Sequence, residues 1–127
     1  MASELRVNTL KDAAGSNEVA TSTVAQGSAK AYVNINGTGT IAIRSSSNAA
    51  SITDNGTGNY TVTFTSAMNN AEYGANVTGA TGDTASVAIG GRYTTSTASA
   101  CNFSNAVAGV GGTDVSYTHV CINGDLA

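Results

Sequence analysis

The chain has no proline, no tryptophan, a single histidine and two cysteines, and few of its residues are charged. Each shortage excludes something. Charged residues make up 10% of the 127, well under the roughly 25% of an ordinary soluble domain. The five basic residues, Arg6, Lys11, Lys30, Arg44 and Arg92, are scattered along a chain of net charge −3, which argues against nucleic acid or an anionic membrane surface as partner. No apolar run approaches the roughly 20 residues of a membrane span, so no membrane insertion is expected. Met1-Ala2-Ser3-Glu4-Leu5-Arg6 lacks the basic-then-apolar order of a secretory signal, and synthesis in the cytoplasm follows as the expectation.

Chemistry is scarce too. Two cysteines and one histidine fall short of a structural zinc set. Asp54-Asn55-Gly56-Thr57-Gly58-Asn59 superficially resembles a calcium loop but lacks the spaced carboxylates and the terminal glutamate. Asn36-Gly37-Thr38-Gly39 has neither the third glycine nor the following helix of a phosphate cradle. His119, between Tyr117 and Cys121, reads as a packed or rim residue, and nothing resembles a nucleophile elbow. No catalytic site, metal or cofactor is expected. Cys101 and Cys121 either pair, closing a loop of about 20 residues worth about 3 kcal/mol, or remain two small thiols, as a reducing compartment favours.

What is present is serine, threonine, asparagine and glycine, close to half the chain. With many Thr and Val, this is the composition of an ordered all-β protein whose surface is hydroxyl and amide. The clearest element runs from Ala49 to Thr65. Ala49-Ala50-Ser51-Ile52-Thr53 supplies one strand, Asn55-Gly56 the turn, and Tyr60-Thr61-Val62-Thr63-Phe64-Thr65 a second strand of strict period two. Tyr60, Val62 and Phe64 fall on one face and the threonines on the other. Val33 and Ile35, Ile41 and Ile43, Glu72 to Val77, Ser86 to Ile89 and Val115 to Ile122 read as further strands. Gly/Asn turns at roughly ten-residue spacing predict an antiparallel β-sandwich. One domain is expected, with a body over 31–127 and an N-terminal arm over 1–30. In the arm, Leu5 to Leu10 is β-like and Ser22 to Lys30 makes one or two helical turns. The apolar content is thin for this length, which points to oligomerisation. Leu5, Val7 and Leu10 have nothing of the arm's own to bury against and are the assembly candidates.

From residue 27 to 68 the order of residues is more specific. Gly27-Ser28-Ala29-Lys30-Ala31-Tyr32-Val33-Asn34, Asn36-Gly37-Thr38-Gly39-Thr40, Ile43-Arg44, Ser51 through Val62 and Phe64-Thr65-Ser66-Ala67-Met68 together resemble a module of tail-fibre-like virion proteins of tailed bacteriophages, those of aquatic bacteria above all. Leu5-Arg6-Val7-Asn8-Thr9-Leu10 resembles the opening motif of the same group. The resemblance implies a non-enzymatic protein of the virion exterior, homotrimeric, contacting other virion proteins and a host-surface glycan, and released by lysis. In such proteins the module sits at one end of a longer fibre. The alternative is therefore a capsid decoration or cement protein, or a tail adaptor. Host contact is expected in the Gly/Ser/Thr-rich stretch after Gly79, with Tyr93, Asn102 and Asn105 as exposed loop candidates.

Overall fold

The structure, a computed structural model, describes residues 3–80, 89–107 and 109–127, with the side chains of residues 89–93 outside that description. The expected fold class stands: the protein is an all-β sandwich built from antiparallel pairs.

Two short strands, β1 (Thr9–Lys11) and β2 (Glu18–Ala20), pair with each other alone. The helix α1 (Thr21–Gly27) follows β2 directly. The body is formed by β3 (Ala29–Asn36), β4 (Ala42–Ser47), β5 (Ala49–Asp54), β6 (Asn59–Phe64), β7 (Gly74–Ala80), β8 (Ile89–Thr97), β9 (Ala100–Val107), β10 (Gly111–Gly112) and β11 (Tyr117–Asn123). Hydrogen bonding runs in the order β4-β3-β11-β7-β8-β9-β6-β5, with β10 on β9. The path folds over where β7 meets β8. One layer is β4-β3-β11-β7; the other is β8-β9-β6-β5. Asn48, with φ of 54°, is the single residue between β4 and β5. Its amide donates to Lys30 O at 3.1 Å and Ser66 O at 3.0 Å and accepts from Ser66 N at 2.7 Å, tying that crossing to both layers.

Period two explains the core. Ala31, Val33 and Ile35 of β3 face Tyr60, Val62 and Phe64 of β6, with Cys101 and Phe103 of β9 and Val120 and Ile122 of β11 completing the same cluster. Tyr60 and Phe103 are register partners whose rings lie 5.8 Å apart, and Phe64 meets Tyr73 edge-on at 5.6 Å. Tyr73, from the β6–β7 connection, closes one end by donating to Ala100 O at 2.7 Å. Both end strands carry a register shift, β4 at Arg44 and β5 at Ala50. Such bulges blunt edges that would otherwise recruit another strand.

The hairpin read from the sequence forms as expected, pairing Asp54 with Tyr60 and Ile52 with Val62. Other expectations are corrected. Of the Leu5–Leu10 segment only Thr9 and Leu10 are strand, in β1, because Leu5 to Val7 have no neighbouring strand to pair with. The run from Tyr93 to Ser99, expected as loop, is mostly strand β8, since threonine suits an outward pleat position. Ser86 to Ala88 lies outside the described residues. Both cysteines are free thiols: Cys101 points into the core from β9, while Cys121 lies on the outer side of β11.

Candidate functional site

Three surfaces are distinct enough to carry function: a glycine-rich end of the sandwich, and the two outer faces of its layers.

At the glycine-rich end, the turns after β3 and β5 meet the Asp114–Val115 segment that follows β10. Asp114 Oδ1 accepts from Tyr60 Oη at 2.8 Å and from Gly58 N at 2.6 Å, while Gly37 N donates to Val115 O at 2.9 Å. Gly58 has φ of 69°, and a Cβ there would meet Thr113 N and lie 2.6 Å from Asn105 O. No other residue fits. Burial, and then the hydrogen bond and charge of Asp114, hold the Tyr60 phenol protonated well above the usual tyrosine range. The Gly-Asn segments that read as turns are thus a structural clasp. Among the described residues no three of His, Cys, Asp and Glu gather as metal ligands.

The outer face of β8-β9-β6-β5 is made of hydroxyls and amides. Thr53, Thr61, Asn102 and Thr95 are register neighbours across its four strands. Asn102 Nδ2 donates to Thr61 Oγ1 at 3.0 Å, and Asn55 Nδ2 donates to the same oxygen at 2.7 Å. Thr94 Oγ1 donates to the Asn102 side-chain Oδ1. Beside this network lies an open depression of about 170 Å³ lined by Thr61, Thr95, Ser96, Thr97, Ala100 and Asn102.

The host-contact candidates divide here, and their placement on loops is corrected. Asn102 lies at the depression, half-buried on a strand. Tyr93 is a strand residue whose backbone pairs with Phe103, and its side chain lies outside the described residues. Asn105 is fully buried, donating from Nδ2 to Thr118 Oγ1 at 2.6 Å across the sandwich. It stands inward because it shares the pleat of Cys101 and Phe103. A buried asparagine cannot contact a host.

The outer face of β4-β3-β11-β7 was not singled out by residue type, yet it carries the exposed rings. Tyr32 on β3 lies 6.2 Å from His119 on β11, with Tyr117 two residues before His119 and 46% exposed. Arg44 reaches across β3 so that its guanidinium sits 4.2 Å from the Tyr117 ring centroid, and its Nη2 donates to Ser116 O at 2.9 Å. Asn34, the register neighbour of His119 and Ser45, has an Oδ1 that is shielded from solvent and without a hydrogen-bond partner. The signal for this face was in the chain all along. Residues 32, 34 and 36 alternate with core positions, as do 117, 119 and 121.

Residues 3–28 form a fourth surface of another kind. Leu5, Val7, Leu10, Val19 and Val24 are exposed by 80%, 40%, 45%, 36% and 47%. Leu10 and Val19 are direct cross-strand partners at an open depression of about 290 Å³, and α1 buries nothing. Asp12 organises the connecting turn, accepting from Ser16 N at 2.9 Å and Asn17 Nδ2 at 2.7 Å. Those bonds, the Ser16 backbone first, hold its carboxyl below the usual range.

No protein-family model, curated protein or solved structure significantly matches this chain.

Proposed function

We propose that the protein is a structural component of a bacteriophage exterior, of the tail-fibre type, in which the arm attaches the chain to its assembly and the sandwich is displayed towards the host. The observation that carries this reading is the pairing of a closed body with an uncovered arm. The sandwich buries a contiguous apolar core and leaves Ile43, Val110, Tyr117 and Leu126 exposed, whereas residues 3–28 bury none of their apolar side chains and leave five aliphatic ones to water. An isolated two-stranded hairpin is marginal in water and needs further strands or a packing partner. Assembly supplies one, whether a second and third copy of the chain or a neighbouring virion protein. The resemblance over residues 5–10 and 27–68 is what supports a bacteriophage particle as the setting.

Deleting residues 1–28 tests the reading. The shortened chain should fold, fail to enter particles and fail to self-associate in light scattering. Incorporation at normal levels would sink the arm's assigned role. Particles that lack the protein, adsorb normally and lose physical stability would instead identify it as a capsid decoration.

A further inference from the structure

One layer of this acidic protein contains no acid. The strands β3, β4, β7 and β11 carry no Asp or Glu, although the chain has eight such residues and a net charge of −3. The only formal charges on those strands are Lys30 and Arg44. Lys30 Nζ is turned back onto the end of α1, on Ala25 O and Ser28 Oγ. Arg44 is different. One of its five donors is used by Ser116 O, no carboxylate pairs with it among the described residues, and its guanidinium carbon sits 4.2 Å from the Tyr117 ring centroid.

The rings on this face form a stripe. Tyr117 and His119 share one side of β11, about 7 Å apart by strand rise. Tyr32 is the register partner of Cys121, one strand over and one row further on. The stripe is therefore roughly 14 Å long. Around it stand hydroxyls that no charge competes with, those of Ser45 and Thr78.

We infer that this face binds an oligosaccharide bearing carboxylates, with its rings along the aromatic stripe and one carboxylate on Arg44. An aromatic stripe edged by hydroxyls suits a ring that is apolar on one side and hydroxylated at its rim. An acid-free layer with one open guanidinium selects a negative ligand, and a planar fork pairs with a carboxylate in two parallel bonds. A single cation matches a single charge, whereas a phosphate monoester carries closer to two at neutral pH. The inference takes its biological setting from the attachment reading, but its chemistry stands on this face alone.

Titration calorimetry with the full-length chain tests it, using an oligomer of galacturonic acid as probe and its methyl ester as the uncharged control. The acid form should bind at millimolar concentration or below and weaken with added salt, and the ester should bind at least about tenfold less well. Arg44→Gln should weaken binding about tenfold and Tyr117→Ala by a similar factor, with melting temperatures held near that of the parent chain. Asn102→Ala, on the opposite layer, should change nothing. Equal binding of acid and ester, no binding of the acid at millimolar concentration, equal competition by inorganic phosphate, or indifference to Arg44→Gln would each overturn the inference. Adsorption separates it from the attachment reading. A chain that blocks particle adsorption equally well with or without Arg44 leaves attachment standing and removes the acidic ligand. A chain that binds the uronate yet neither enters particles nor blocks adsorption leaves the ligand and removes attachment.

Discussion

Val19 and Val62 are the same residue, each in the middle of a short antiparallel pair. Val19 is 36% exposed on β2, and Val62 is 1% exposed on β6. Arm and body share a vocabulary of Thr, Ser, Ala and Val and a low charge. They differ in how many layers the chain brings together. The hairpin of the arm has one face and nothing above it. In the body, β6 lies between β5 and β9 and under β3 and β11. Full burial of a valine is worth about 1.5–3 kcal/mol; Val62 gains it within the body, and Val19, still 36% exposed, gains only part of it. Strand pattern decides which face is apolar; only a second layer turns that face into stability.

The comparison breaks first in the core. Phe103→Ala should destabilise the body by about 3–5 kcal/mol in a urea titration, and a loss under about 1 kcal/mol would mean that the two layers do not pack as described. Gly58→Ala is next, at about 2–4 kcal/mol, combining left-handed strain with a clash against the Thr113 backbone. Asp114→Ala leaves Tyr60 Oη with Gly37 O alone and Gly58 N without its partner, for about 1–3 kcal/mol. If it proves neutral, the glycine-rich end is not held by that carboxylate.

Cys101 gives a smaller, pH-dependent effect. Burial, partly opposed by a hydrogen bond with Tyr73, pushes its thiol up to about 11 from 9.0. The unfolded chain then releases this proton at lower pH than the folded one. Stability should be unaffected below about pH 9 and fall, by about 1–3 kcal/mol at most, as pH rises towards 11. Native-state alkylation should modify Cys121 and spare Cys101, and equal labelling of the two would contradict that burial. The smallest effect is expected from the arm. Removing residues 1–28 should change the unfolding free energy of the body by less than about 0.5 kcal/mol, because α1 buries nothing and β1 and β2 pair only with each other. A large loss would show that the arm packs on the body in solution.

Much of the fold was legible in the chain. The alternation at Tyr60, Val62 and Phe64, and at Val33 and Ile35, placed core residues correctly, and Asn55-Gly56 located the hairpin. The stretch from Tyr93 to Ser99 was not legible, because Thr and Ser serve loops and outward strand positions alike and β8 offers little apolar alternation. Asn105 misled for a related reason. Asparagine is read as surface, yet here it satisfies Thr118 across the sandwich. The face of Tyr32, Tyr117, His119 and Arg44 escaped because its members are distant in sequence and none forms a motif.

By itself, the sequence determined the all-β class and the inward faces of β3 and β6. These depend on period and composition, which are local. The tertiary structure alone decided which strands are neighbours, and so everything that depends on adjacency. It set Tyr32 beside His119 and Arg44 over Tyr117, drew the turns after β3 and β5 onto the Asp114–Val115 segment, and turned Cys101 and Cys121 to different sides. Pairing order and register come from the summed packing of all the strands, and no short window of the chain contains that sum.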